Sequence, residues 1–154
     1  MSGRVHQVSI SEGGVPKRPI DMAYATPAGL TGDGHNDTRF HGGPDRALCI
    51  FSLDVIDELR AEGHGIFPGA AGENITVRDV EWRLVSPGSR WGIGEEVTVE
   101  ITNYTTPCQK NQAWFVGGEF GRMSQALHPG SSRVYARVLT PGPIRPGDQF
   151  SPAG

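Results

Sequence analysis

With 154 residues, 16.5 kDa and 36% hydrophobic content, the chain is long enough to bury one core without staples, and a multidomain arrangement is not expected. A formal net charge of -3 argues against a general nucleic-acid binder, which concentrates basic residues on one face. No apolar stretch is long enough to span a bilayer and no basic-then-apolar leader is seen, so a cytoplasmic protein that engages neither membrane nor nucleic acid is expected.

The 22 glycines and 12 prolines punctuate the chain every few residues, with short alternating runs between them, the pattern of many short strands. Strands are expected at Arg4–Ile10, Arg46–Phe51, Asn74–Val77, Glu81–Val85, Glu96–Thr102, Arg133–Leu139 and Asp148–Phe150. A helix is expected between the second and third of these, Leu53–Arg60, with Ser52 as N-cap, Asp54 in the first turn and Gly63 as a stop. A second helix is expected at about 119–127. Pro87-Gly88, Pro141-Gly142 and Pro146-Gly147 mark turns, and no linker or repeat interrupts the chain. The fold class that follows is mainly β, a closed or partly closed barrel with a few short helices, running as one domain over residues 1–154.

Two cysteines in different settings do not form a disulfide framework, which agrees with a reducing compartment. Cys49, in Ala47-Leu-Cys-Ile-Phe51, reads as a small packing hydrophobe. Cys108 lies in Tyr104-Thr-Thr-Pro-Cys-Gln-Lys110, where Pro107 interrupts the alternation of Val97, Val99 and Ile101 and places the thiol at a strand-to-loop transition. Lys110, two residues on, is a cation of the kind that favours the thiolate, the form that attacks electrophiles or binds soft metals.

The densest polar chemistry lies in Gly32–Arg46. Glycines 42 and 43 let backbone amides approach a ligand, and Arg39 and Arg46 can fork onto phosphate or carboxylate oxygens. His35, Asp37 and His41 are a possible divalent-metal set, although their spacing matches no zinc signature. The same residues can also serve a solvated turn in which His and Asp cap loop backbone groups.

In order along the chain, Gly29-Leu-Thr-Gly-Asp33, His41-Gly-Gly-Pro-Asp-Arg-Ala47, Pro68-Gly-Ala-Ala-Gly-Glu-Asn-Ile75, Gly92-Ile-Gly-Glu95 and Thr106-Pro-Cys-Gln-Lys110 resemble the motifs of the MOSC domain family, the C-terminal module of molybdenum cofactor sulfurases, which also occurs as small stand-alone proteins. The resemblance covers nearly the whole chain. It implies a mostly β barrel, like that of pyruvate kinase, with a cleft that holds the molybdenum cofactor, a molybdopterin, or handles its sulfur. Cys108 matches the family's key cysteine, implied to be a molybdenum ligand in reducing members and a persulfide carrier in sulfurase-type members.

The resemblance further implies that Lys17 lies near the pterin phosphate, that Arg39 forks onto the same anion, that Lys110 belongs to the cofactor site and that Asn74 bonds the pterin edge. His41 is then a proton donor to a substrate oxygen, and Glu73 either orients a neighbour or only closes a turn. Many relatives carry an arginine directly after the Gly-Asp of the first motif, where this chain has Gly34 and then His35. No iron-sulfur, flavin or cysteine desulfurase part is expected within these residues, so a separate electron-donor protein or desulfurase is the implied partner. The reading that results is reduction of N-hydroxylated or related N-oxygenated small molecules. The alternatives are a persulfide carrier for cofactor assembly and a non-catalytic module that binds an anion or pyridoxal phosphate. With only Lys17 and Lys110 as Schiff-base candidates, covalent pyridoxal chemistry is the least favoured.

Overall fold

The computed structural model describes residues 3–34 and 43–154. Eleven strands run in chain order as β1 Gly3–Ile10, β2 Arg18–Ile20, β3 Ala23–Thr26, β4 Gly29–Leu30, β5 Leu48–Ser52, β6 Ile75–Arg78, β7 Arg90–Ile93, β8 Val97–Tyr104, β9 Val134–Thr140, β10 Gly142–Ile144 and β11 Gln149–Pro152. Seven of them pair in the order β11-β7-β8-β9-β5-β6-β1, and β1 pairs β11 in turn, closing a barrel that has no free edge. β2 pairs the far end of β1, and β10, β3 and β4 form a separate small sheet.

The barrel fills itself from alternate positions. Along β8, Val97, Val99 and Ile101 are buried while their neighbours are half-exposed, the period-two signature of a wall with one dry face. They meet Leu48, Ile50, Ile75, Val77, Ile93, Val134 and Ala136, and Trp91 stacks on Phe150 with ring centroids 4.9 Å apart. Pairing is antiparallel except between β5 and β6, and that parallel connection requires a crossover. The helix α1, Leu53–Ala61, supplies part of it, starting where Ser52 Oγ accepts the Val55 N–H at 3.2 Å. Covered by the barrel interior on one side and by α1 on the other, β5 is buried at all five positions.

A second apolar cluster lies outside the barrel wall, where Val55, Ile56 and Leu59 of α1 meet Phe51, Ile66, Phe115 and Met123. The chain between β8 and β9 that contributes Phe115 and Met123 is a series of 3-10 turns, Gln109–Trp114, Val116–Gly118 and Phe120–Met123. The helix expected at about 119–127 is therefore reduced to one turn, because Gly117 and Gly118 hold positive φ just before it and Ser124 Oγ caps the Leu127 N–H just after it. The strand expected at Glu81–Val85 is likewise a 3-10 turn, Trp82–Leu84, anchored by Trp82 Nε1 donating to the Ser132 carbonyl at 3.0 Å. Arg46 precedes β5 in another 3-10 turn, Pro44–Arg46, and the turn expected at Pro141-Gly142 opens β10 instead.

Candidate active site: a thiol-lined cationic cleft on the barrel wall

In β5 and β9, residues that point away from the barrel interior are brought side by side. Cys49 sits directly across from Tyr135 in the antiparallel register, while their neighbours Leu48, Ile50, Val134 and Ala136 fill the barrel. Arg133 and Tyr135, two positions apart, share the outer face. β8 ends at Tyr104, and the following extended segment carries Cys108 to the start of the Gln109–Trp114 turn, its carbonyl accepting the Asn111 N–H at 2.9 Å. The result is a cleft of about 600 Å³, measured to its open mouth, lined by Cys49, Cys108, Asn111, Arg133 and Tyr135 together with Val15, Lys17, Gly34, Ala71, Gly72 and Asn74. Arg46 and Lys110 also line it.

Cys108 stands half-buried at this cleft, as its proline-framed context suggested. Cys49 is buried, but it is not only a packing residue: it lines the same cleft, with Sγ 3.7 Å from Thr105 Oγ1. Burial pushes the Cys49 thiol above its ordinary value, partly offset by the nearby Arg133 guanidinium. Tyr135 is pushed up to about 12, first by burial and then by the adjacent Cys49, so its phenol stays protonated near neutral pH. The Arg46 guanidinium lies 5.6 Å from the centre of its ring.

Lys17 and Asn74 both reach the cleft, but each is already engaged within the chain. Lys17 Nζ is 2.5 Å from Asp33 Oδ2, and both side chains are nearly withdrawn from solvent. Asn74 Nδ2 donates to the same carboxylate at 2.8 Å and to the Ser9 carbonyl at 3.3 Å, while its Oδ1 accepts the Cys49 N–H at 3.0 Å. The amide therefore ties β1 and β5 to the Gly-Asp motif. Gly34 follows that motif with its backbone against the Glu12 carbonyl, where an added Cβ has no room. A side chain at this position would need the backbone at Glu12 to move.

Glu73 is fully buried and does not line the cleft. Its Oε2 accepts the Gly69 N–H at 3.0 Å and the Thr76 hydroxyl at 3.3 Å, so it closes the turn of the Pro68–Ile75 motif, and Gly69 holds the positive φ that this turn needs. Burial raises its carboxyl above the usual range, towards the neutral acid.

The cation that the sequence reading missed is Arg133. It is 3% exposed and lines the cleft; Nη1 donates to the Ala71 carbonyl at 2.8 Å and Nη2 more weakly to the Thr106 carbonyl, and no carboxylate pairs with it among the described residues. Asn111, equally buried, also donates to the Ala71 carbonyl, at 3.2 Å. His35, Asp37, Arg39 and His41 lie outside the described residues, and no group of three or more metal-ligating side chains occurs among those described.

A closed seven-strand barrel with a thiol at a cationic cleft on its outer wall defines the class of protein. The chain belongs to the MOSC domain family, whose model matches residues 37–151. It is 30% identical over 143 residues to the uncharacterized protein YflK of Bacillus subtilis (strain 168), covering 88% of this chain and 61% of that protein. It is 27% identical over 132 residues to a protein named "Reductase" from Gibberella moniliformis (strain M3125 / FGSC 7600), covering 83% of this chain and 23% of that one. The chain thus spans less than two thirds of the length of these relatives. Its fold matches the crystal structure of YiiM from Geobacillus stearothermophilus with a TM-score of 0.74 at 20% identity, over 99% of this chain and 75% of that one. No described helix is long and apolar enough to cross a membrane.

Proposed function

We propose that the cleft binds molybdenum cofactor with Cys108 as the protein thiolate, and that the bound form reduces N-hydroxylated or related N-oxygenated compounds. The observation that carries this reading is the pairing of a half-exposed thiol, Cys108, with a cleft whose cations outnumber its carboxylates. Lys17 is neutralised by Asp33, whereas Arg133 has no carboxylate partner among the described residues. Soft thiolate suits a soft metal, and buried guanidinium suits an anionic cofactor, so the residues present fit the group. When bound, the group supplies two-electron redox chemistry.

The chain's own contribution is binding and proton placement. Cys108 would hold the cofactor, and Lys110 and Arg133 would balance its negative charge. Converting N–OH to N–H takes two electrons and two protons and releases water, so the leaving oxygen must be protonated. Tyr135 carries a phenolic hydrogen at the cleft, and His41 remains the proposed proton donor. Electrons come from a separate donor protein, in the soluble cytoplasmic setting that the composition suggests. Similarity to a protein named "Reductase" supports this reading.

One observation favours a second reading, a persulfide carrier: two thiols, Cys108 and Cys49, line the one cleft. A single experiment separates the two. Cofactor-loaded protein given an artificial electron donor should reduce a hydroxylamine-type substrate over many turnovers, with no added sulfur on Cys108. A mass increase of one sulfur at Cys108 after incubation with a cysteine desulfurase and cysteine, with no reduction of any N-hydroxylated compound, would establish the carrier instead.

A further inference from the structure

Outside the barrel, the Pro44–Arg46 turn is fastened to β8 and β9 at points that its two adjacent side chains match. On β9, Tyr135 and Arg137 are two positions apart and share the outer face, roughly 7 Å apart along a strand. Asp45 Oδ1 lies 3.0 Å from Arg137 Nη2, and the Arg46 guanidinium lies 5.6 Å from the centre of the Tyr135 ring, so Asp45 takes one of these positions and Arg46 the other. Glu100 faces Arg137 across the β8–β9 ladder but pairs with Arg90 at 3.4 Å, which leaves Asp45 as the carboxylate bonded to Arg137 among the described residues. A third fastening comes from β8. Ile101 and Asn103 face the consecutive β9 residues Ala136 and Tyr135, so Thr102 is the extra residue of a β-bulge, and its hydroxyl donates to the Asp45 carbonyl at 2.5 Å. Bulges of this kind re-aim a side chain beside a site. Within this cluster Arg46 and Tyr135 line the cleft that holds Cys108, whereas Asp45, Thr102 and Arg137 do not.

We propose that Asp45 and Thr102 are positioning residues: by registering the Pro44–Arg46 turn on β9 they keep Arg46 over Tyr135, and the guanidinium so placed sets the positive potential that an anion meets on its way to Cys108. An ion pair as exposed as Asp45 and Arg137, whose side chains are 68% and 43% exposed, contributes little to stability. Its role here is register, since anchoring one side chain of the turn lands its neighbour on the next position of the same face. The inference rests on Cys108 being reached through this cleft, and on no metal and no reaction.

The test compares the rates at which iodoacetate and iodoacetamide alkylate Cys108 in the metal-free full chain at low salt, followed by peptide mass spectrometry. The two reagents are nearly equal in size and meet the same thiolate, so their rate ratio cancels thiolate fraction and access and reports the potential. Arg46→Met should lower the iodoacetate-to-iodoacetamide ratio about threefold, the order expected of one partly screened charge. Asp45→Ala should lower it about twofold although it removes a negative charge, which by field alone would raise the ratio. Thr102→Val, which alters no charge, should also lower it, and Asp45→Glu, which keeps the carboxylate, should stay nearer to the wild type than Asp45→Ala does. In an Arg46→Met background neither Asp45→Ala nor Thr102→Val should lower the ratio further. Urea melts of each variant check that the fold is kept. A ratio unchanged in Arg46→Met, a ratio that holds or rises in Asp45→Ala, or a fall that persists without Arg46 overturns the proposal. A chain that shows this pattern but never holds molybdenum keeps the inference and loses the functional reading, whereas molybdenum uptake with the pattern absent does the reverse.

Discussion

The barrel interior and the floor of the cleft are separated only by one layer of backbone, in β5 and β9, yet they are built on opposite rules. Inside, Leu48, Ile50, Ile101, Val134 and Ala136 are fully buried and purely apolar. Outside, the alternate positions of the same strands present Cys49 and Tyr135, with Arg133 just before β9, and Arg133 Nε and Asn111 Oδ1 have no partner among the described residues. The wall is made for stability, and the outer floor keeps polar groups in reserve at a cost to stability. Substitutions on the two sides should therefore have different signatures.

The largest effect is expected inside. Ile101→Ala should lower the free energy of unfolding by about 2–5 kcal/mol, the usual range for emptying a well-packed core site. Urea denaturation will measure it. On the floor, Asn111→Leu removes an unsatisfied acceptor while Arg133 Nη1 still serves the Ala71 carbonyl, so stability should change by no more than about 1 kcal/mol in either direction. A loss at Asn111 as large as that at Ile101 would mean that the floor is structural in the same sense as the wall.

The wall was legible in the sequence because its information is local. Alternation in Val97–Ile101 and the short apolar run after Ala47 are read directly, as is the Ser52 cap of α1. β2, β3, β4, β7 and β10 were missed because each is four residues or fewer and lies beside glycines or prolines that signal turns, and Glu81–Val85 was misread because its alternation serves a turn anchored by Trp82. The floor was less legible. Cys108 announced itself by its neighbours, but Cys49 looks like core until the register sets it opposite Tyr135. Arg133 and Asn111 carry no local signal, since the Ala71 carbonyl that joins them is distant in the chain from both. The engaged states of Lys17 and Asn74 also depend on a distant residue, Asp33.

An intermediate effect concerns Glu73, the buried carboxyl behind the floor. Its folded pKa is raised above its unfolded value near 4.5, so the native state binds the extra proton in the interval between the two. Its contribution to stability is fully present below pH 4.5 and is lost as pH rises through the folded pKa. Glu73→Gln keeps an oxygen for the Gly69 N–H and removes the titration. The wild type should therefore lose stability relative to this variant as pH is raised from about 4.5, as read from urea melts across the series. A difference that stays constant with pH would show that Glu73 titrates alike in both states.

The smallest effect distinguishes the two thiols without changing the fold. In cofactor-free protein, iodoacetamide should label half-exposed Cys108 about tenfold or more faster than Cys49, which is buried and has its thiol form favoured by that burial. Peptide mass spectrometry over time gives both rates. Equal labelling would place Cys49 as accessible as Cys108 and would strengthen the two-thiol carrier reading.

The most direct test of the central claim is the molybdenum content of protein purified from cells that make the cofactor, comparing the wild type with Cys108→Ser and Cys49→Ala. The account predicts stoichiometric molybdenum together with pterin in the wild type, retention in Cys49→Ala, and at least about a tenfold loss of the metal in Cys108→Ser because an alcohol is a poor ligand for a soft metal site. Molybdenum retained at wild-type level in Cys108→Ser, or absent from the wild type, would contradict it.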